Sequence, residues 1–181
     1  KGLVDAVMKG AAKATGEVLA IQSSDDSYLQ GAFKKMASLF HQYPDAGFVC
    51  GGECAIDLSG NIVSVTQPTG EISPETILFK LIPAQHSSFI KKELFEFVSG
   101  LQADVDMCAD IDLWYRASHI QKGIYFPDII SAYQLHPGQR TKVSDKWHSN
   151  LVKMVELADN NPKYNHAFRL GDKLKKDLSS Y

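Results

Sequence analysis

Asp25 and Asp26 are adjacent carboxylates that follow the segment Ala20-Ile21-Gln22-Ser23-Ser24. Residues 17–21 read as a short apolar strand, so the two acids fall where a strand gives way to a turn of small polar residues. In open α/β sheets, ligands bind at that carboxyl edge. Carboxylates so close disfavour each other's charged form unless something neutralises them. A hard divalent cation can do so, because it takes oxygen ligands and shares them with a substrate's phosphates. The simpler alternative is a solvated turn in which Asp25 or Asp26 caps the next helix.

A second acidic group lies in Cys108-Ala109-Asp110-Ile111-Asp112-Leu113-Trp114, near the start of a helix. Charge there is favoured by the positive end of the helix dipole, and one aspartate alone would serve as a cap. A general base is the other reading, and it must come within hydrogen-bond range of the hydroxyl it deprotonates. A spacing of two points the side chains to different sides of a helix, so at most one of them is catalytic. His136 follows an apolar run and precedes Pro137-Gly138. A lone histidine is more often a surface or core residue than a ligand. Gln85 and His86 follow Pro83 in a loop that is either a binding surface or a polar bend. Lys9 reads most simply as a solvated lysine beside Asp5 and Met8.

The elements that would position these residues follow from periodicity. Residues 3–15 place Leu3, Val4, Val7, Met8, Ala11 and Ala14 at helical spacing, with Gly16 as the expected terminator. Residues 29–43 form a second amphipathic helix with Leu29, Phe33, Met36, Leu39 and Phe40 on its core side. Residues 48–56 and 62–66 read as a hairpin about a turn rich in Asp, Ser, Gly and Asn. Residues 67–73 read as a loop. Ser73 and Pro74 mark the cap and first residue of a short helix. Residues 83–90 are irregular, then apolar. Short helices are expected over 91–98 and 107–120, the second with Ile111, Trp114, Tyr115 and Ala117 or Ser118 inward. Residues 123–133 hold two strand-like runs split by Pro127-Asp128, and 136–141 are a polar loop. Two helices close the chain, over 144–159 and 162–179, the last with Lys173, Lys175 and Lys176.

With 181 residues, the chain is long enough for one domain with a real core. Hydrophobic residues make up 44% and charged residues 22%, ordinary values for a globular protein. The net charge of −2 leaves no basic footprint for nucleic acid. Cys50, Cys54 and Cys108 do not form a disulfide framework, and they point to reduced thiols in a cytoplasmic setting. Zinc is disfavoured because no histidine pair lies close to them in sequence. No apolar run approaches the roughly 20 residues of a membrane span. The abrupt start at Lys1-Gly2 suggests further sequence upstream.

A series of short motifs resembles the family 2 glycosyltransferases of the GT-A fold. It begins with Lys1-Gly2, Asp5-Ala6, Lys9-Gly10 and Ala14-Thr15-Gly16-Glu17, and continues with Ser23-Ser24-Asp25-Asp26. Next come residues 48–57 with Gly60, then Pro83, Gln85, Ser87 and Phe89-Ile90-Lys91-Lys92 with Leu94-Phe95. Asp110, Asp112-Leu113-Trp114 with Arg116, and His136-Pro137-Gly138 complete it. The match runs over residues 1–141. The resemblance implies an α/β fold, a GT-A-like mixed sheet flanked by helices, with 142–181 as a helical C-terminal extension. It implies an inverting transfer of a sugar, of hexosyltransferase type, from a nucleotide-diphosphate sugar such as a UDP-sugar to a hydroxyl on a glycan or lipid-linked acceptor. Polysaccharide biosynthesis, in the cytoplasm or at the inner face of the membrane, is the implied setting.

Residue by residue, Ser23-Ser24-Asp25 take the family's DxD position, with Asp25 as metal ligand and Asp26 supporting it or touching the donor. Lys9 joins this donor-side set. Asp110 matches the catalytic base, and His136 the histidine that can join the metal, Mn²⁺ or Mg²⁺, or the diphosphate. Gln85 and His86 fall on the acceptor side. Three positions depart from the family pattern: Ser23 begins DxD, Ala109 replaces the glutamate before the base, and Met8 stands for an asparagine. The family's first β-α-β unit has no counterpart here, so the strand at 17–21 should have an exposed edge, through which a homodimer could form. Two other readings are a truncated, inactive sugar-nucleotide-binding or assembly module and a nucleotidyltransferase. The latter calls for a glycine-rich basic loop, which the sequence lacks.

Overall fold

The two longest strands run side by side in parallel through the middle of the molecule, and everything else is arranged about them. The protein was analysed as a computed structural model, which describes residues 2–139 and 145–164. The strands are β1 (Val18–Ala20), β2 (Asp26–Tyr28), β3 (Phe48–Ile56), β4 (Ile62–Thr66), β5 (Gly70–Ile72), β6 (Ser88–Lys91) and β7 (Gly123–Gln134). The helices are α1 (Leu3–Lys13), α2 (Ala32–Gln42), α3 (Pro74–Phe79), α4 (Lys92–Phe97), α5 (Ala109–Ser118) and α6 (Asp145–Asp159). Short 3-10 segments cover Gln85–Ser87 and Ala103–Cys108.

The sheet order is β1-β6-β3-β7-β2, with β4 paired to β3 and β5 to β7. Among the described residues only β3 and β7 pair in parallel; the other pairings are antiparallel. The first half of β3, Phe48-Val49-Cys50, is buried throughout, as expected of a strand covered on both faces. On one face Phe48, Cys50 and Ile90 pack with Leu94, Trp114, Tyr115 and Met154. On the other, Val49, Phe89 and Ile130 pack against Ala32, Met36 and Leu39 of α2. This is the helix-flanked mixed sheet that the motifs implied.

Several local expectations change. The helix expected over 29–43 starts at Ala32, behind Gly31, whose φ of 86° is a left-handed conformation that glycine adopts without strain. The Leu29 N–H donates instead to the Ile130 carbonyl, continuing β2 along β7. Phe33, expected inward, is 63% exposed. α1 ends at Lys13 and leaves the helix through extended backbone at Ala14, so Gly16 does not terminate it. The loop expected over 67–73 contains β5, and the apolar end of 83–90 is β6, an interior strand. The split expected at Pro127-Asp128 is a bulge within one strand. Pairing with β3 breaks after Cys50–Tyr125 and resumes at Gly52–Ile129, which accommodates a proline that has no N–H to give.

Other expectations hold. The Ser73 hydroxyl accepts from the Thr76 N–H at 3.2 Å, capping α3 ahead of Pro74. The Asp57 carboxylate organises the β3–β4 turn, accepting from the N–H groups of Ser59 and Asn61 at 2.8 and 2.9 Å. α6 realises the helix expected over 144–159, burying Leu151, Met154, Val155 and Ala158 in the main core. The helix expected over 162–179, its basic residues, and Arg140 and Thr141 lie outside the described residues, apart from the few residues up to Tyr164.

At the sheet's end, β1 pairs only with β6 among the described residues. Its free edge borders a groove of about 1000 Å³ lined in part by Val18, Ala20, Phe33, Phe40 and Phe89. None of the motif residues discussed above as candidate site residues lines it.

Candidate active site

β2 and the end of β7 bring Asp25, Asp26 and His136 together. Asp26 sits opposite Tyr133 in the antiparallel pairing of those strands. Past β7, the Leu135 N–H donates to the Ile56 carbonyl, which carries the backbone on to His136. His136 Nε2 then lies 2.9 Å from Asp25 Oδ2. Its Nδ1 accepts from the Gly138 N–H at 3.2 Å, so in the neutral ring the proton is on Nε2 and is donated to Asp25. That bond holds the Asp25 carboxyl below the usual carboxylate range. Asp26 behaves oppositely: burial pushes it up, against the charge of His86 and a hydrogen bond from the Ser23 side chain. Neither aspartate caps the following helix, since Asp26 begins β2 and Gly31 precedes α2 without a side-chain cap.

The turn Gln85–Ser87 supplies a second group. His86 Nε2 lies 2.5 Å from Glu53 Oε2, and the two side chains are only 15% and 16% exposed. The His86 ring packs against Tyr133, centroids 4.8 Å apart and planes tilted by 40°. Asp110, half-buried at the start of α5, has its carboxyl pushed up by burial, with His86 as an opposing charge. His86 thus lies in electrostatic reach of both Asp26 and Asp110.

The two aspartates of α5 take different environments. Asp112 is buried and ion-paired with Arg116 at 2.5 Å. Arg116 also donates to the carbonyls of Val98 and Gly100. Asp112 is therefore committed to holding α5 against the end of α4. Cys108, the residue before α5, makes no side-chain cap, while the Asp110 carboxyl lies by the backbone N–H groups of Asp110 and Ile111 in the first turn.

The remaining candidates are less connected. Ser24 is exposed and Gln85 half-buried beside His86. Lys9 lies on α1, largely exposed and ion-paired with Asp5 at 2.8 Å. Glu53 and Tyr133 escaped the sequence reading. Glu53 had a signal, since a charged residue inside the apolar run 48–56 is costly unless something pairs with it.

Asp25 and His136 offer one carboxylate oxygen and one imidazole nitrogen within 2.9 Å of each other, both partly exposed. Among the described residues, no group of three or more His, Cys, Asp or Glu could hold a metal. The two groups fit a cation that takes its other ligands from water and phosphate oxygens, as Mg²⁺ commonly does.

The sequence model described as "Glycosyl transferase family 2" matches residues 1–96, just over half of the chain. No curated protein matches. Among solved structures, S. aureus TarS 1-349 in complex with UDP-GlcNAc superposes with a TM-score of 0.70 at 12% identity, covering 98% of this chain and 52% of that one. The same protein in complex with UDP gives 0.65 at 13% identity, covering 94% and 49%. The mannosyltransferase PcManGT from Pyrobaculum calidifontis, in complex with GDP-Man and Mn²⁺, gives 0.59 at 16% identity, covering 98% and 48%. The chain spans about half the length of these structures. At such identities the likeness speaks for the fold alone: a mixed sheet flanked by helices, as in GT-A glycosyltransferases. The motif series, the sheet that carries it and the match over residues 1–96 agree that this chain belongs to glycosyl transferase family 2.

Proposed function

We propose that the chain provides the metal-binding and catalytic part of an inverting glycosyltransferase that moves a sugar from a nucleotide-diphosphate sugar to a hydroxyl. Asp25 and His136 would hold a divalent cation, Mn²⁺ or Mg²⁺, with Ser23, Ser24 and Asp26 beside it on the donor side. When bound, the cation supplies positive charge for the leaving diphosphate. Asp110 accepts the proton of the attacking hydroxyl, and burial suits it to the task by making it a stronger base than an exposed carboxylate. Gln85 and His86 face the acceptor. The observation that carries the reading is the 2.9 Å contact of Asp25 with His136, residues 111 apart in sequence that both belong to the motif series.

A UDP-hexose is the proposed donor and a glycan or lipid-linked hydroxyl the acceptor, in polysaccharide biosynthesis at the cytoplasmic side of a membrane. The neighbours in complex with UDP-GlcNAc, UDP and GDP-Man support a nucleotide-sugar donor. No helix among the described residues is long and apolar enough to cross a membrane. We keep the division into a catalytic part, 1–141, and a helical extension, 142–181, and a homodimer formed through the free edge of β1. A second reading, an inactive sugar-nucleotide-binding module, is supported by the departures from the family pattern at Ser23 and Ala109.

The test is calorimetry of UDP and of GDP, each with and without Mn²⁺, beside a transfer assay with UDP-GlcNAc and GDP-mannose. Mn²⁺-dependent UDP binding that vanishes in Asp25→Ala supports the reading. Binding equal in both proteins defeats the metal assignment. Binding without turnover favours the second reading.

A further inference from the structure

Strand register gathers a set of polar side chains on one face beside Asp26. Tyr133 of β7 stands between Asp26 of β2 and Ala55 of β3, and Ala55 has Ser64 of β4 on its other side. In the adjoining row, Glu53 stands between Ser131 of β7 and Thr66 of β4. Residues paired across strands, and those two apart along one strand, share a face. His86 meets this face from the turn Gln85–Ser87, with Nε2 2.5 Å from Glu53 Oε2 and its ring centroid 4.8 Å from that of Tyr133. Both of those facing atoms are shielded from solvent, and neither makes a well-aligned hydrogen bond among the described residues. Beside Glu53 lies a cavity of about 70 Å³, lined also by Thr66, Leu81, Ile82 and Tyr125. It has room for about two water molecules, and so for a substituent but not for a ring.

These parts suit a sugar. Buried polar atoms are seldom left without a partner. A hydroxyl donates and accepts at once, so it answers a carboxylate oxygen and an imidazole nitrogen together, whichever way the imidazole proton is placed. A pyranose also carries an apolar C–H face, which an aromatic ring covers. Tyr133 is half-buried, with His86 packed against it, and its register opposite Asp26 sets it next to the donor side of the proposed reaction.

We propose that Glu53, Tyr133 and His86 form a subsite for a sugar ring of the acceptor. Glu53 and His86 hold one of its hydroxyls, Tyr133 covers its C–H face, and the cavity beside Glu53 takes an exocyclic substituent. The acceptor is therefore a pyranose-bearing glycan and not an acyclic polyol. This rests on the placement of the acceptor beside His86 in the proposed reaction, and it adds two specificity residues and the substrate class.

The test is saturation-transfer NMR with the methyl glycosides of glucose, mannose and N-acetylglucosamine, and with ribitol as the acyclic polyol. No nucleotide or Mn²⁺ is added, so failure of the metal or base assignment leaves the outcome readable. We expect at least one glycoside to bind the wild-type chain saturably, with its ring C–H protons receiving the saturation, and ribitol to bind far more weakly. Tyr133→Leu should weaken that glycoside about fivefold, while Tyr133→Phe, which keeps the ring, stays near wild type. Glu53→Gln should weaken it about tenfold. Three outcomes each overturn the proposal: no glycoside binds, ribitol binds as tightly as the best glycoside, or Tyr133→Leu matches wild type. A loss in Tyr133→Phe equal to that in Tyr133→Leu overturns the role of the ring. Should Tyr133→Leu fail to fold by thermal melting, Glu53→Gln decides, because unchanged affinity there is equally fatal. Absent Mn²⁺-dependent UDP binding would defeat the transfer reading while leaving the sugar result standing.

Discussion

The carboxyls of Asp25 and Asp110 are pushed in opposite directions because their surroundings differ. Asp25 is open to solvent and bonded to His136, which favours its ionised form. Asp110 is shielded, which favours the neutral form. A base whose carboxyl is raised becomes competent only as pH climbs through its own midpoint. The acid limb of the turnover profile should therefore lie above the ordinary carboxyl value of about 4, and a limb at or below that value argues against Asp110. Asp110→Asn should lower turnover by about 10²–10⁴-fold with Mn²⁺-dependent UDP binding intact, seen by running calorimetry and rate assays on one preparation. The linkage signs oppose each other. The lowered Asp25 adds stability that is present above its unfolded midpoint and lost as pH falls through the folded one. The raised Asp110 costs stability as pH rises past its unfolded midpoint.

At the scale of elements, α5 depends on one buried ion pair. Arg116 joins Asp112 to the carbonyls of Val98 and Gly100, so it ties α5 to the end of α4. Arg116→Met leaves the Asp112 charge buried without a partner and should cost about 3–5 kcal/mol, measured by urea unfolding. A loss below 1 kcal/mol would mean that α5 is held by its apolar contacts alone. The aspartates of this helix also illustrate what spacing can tell. Two positions apart, they could not share a direction, which the sequence made plain. Which one faces inward was decided by the partners that packing supplied.

At the scale of the molecule, β1 is a short edge strand among the described residues, beside a groove lined by both apolar and charged side chains, and free edges invite pairing with another chain. Sedimentation of the wild-type chain should show a concentration-dependent dimer. Placing a lysine in the edge strand, as Ala20→Lys does, should shift it to monomer. A strict monomer at the highest attainable concentration would remove the dimer proposal and leave the catalytic one untouched.

Periodicity and turn chemistry alone located α1, α2, β1, the β3–β4 hairpin, the capped start of α3 and α6, because those signals act over a few residues. The motif residues were legible in the same way, as types at fixed spacing. β2 and β5 were not, since Asp26-Ser27-Tyr28 and Gly70-Glu71-Ile72 lack an apolar run like the one that marked β1, and β6 showed only as the apolar end of 83–90; their hydrogen bonds are supplied by distant partners. The bulge at Pro127 likewise exists only because β3 runs beside it. Nor could the sequence place His86 against Glu53, or His136 against Asp25, because contacts across 33 and 111 positions are set by the strand order. The sequence thus determined which side chains were available for chemistry. The pairing of β3 with β7, and of β7 with β2, decided which of them meet.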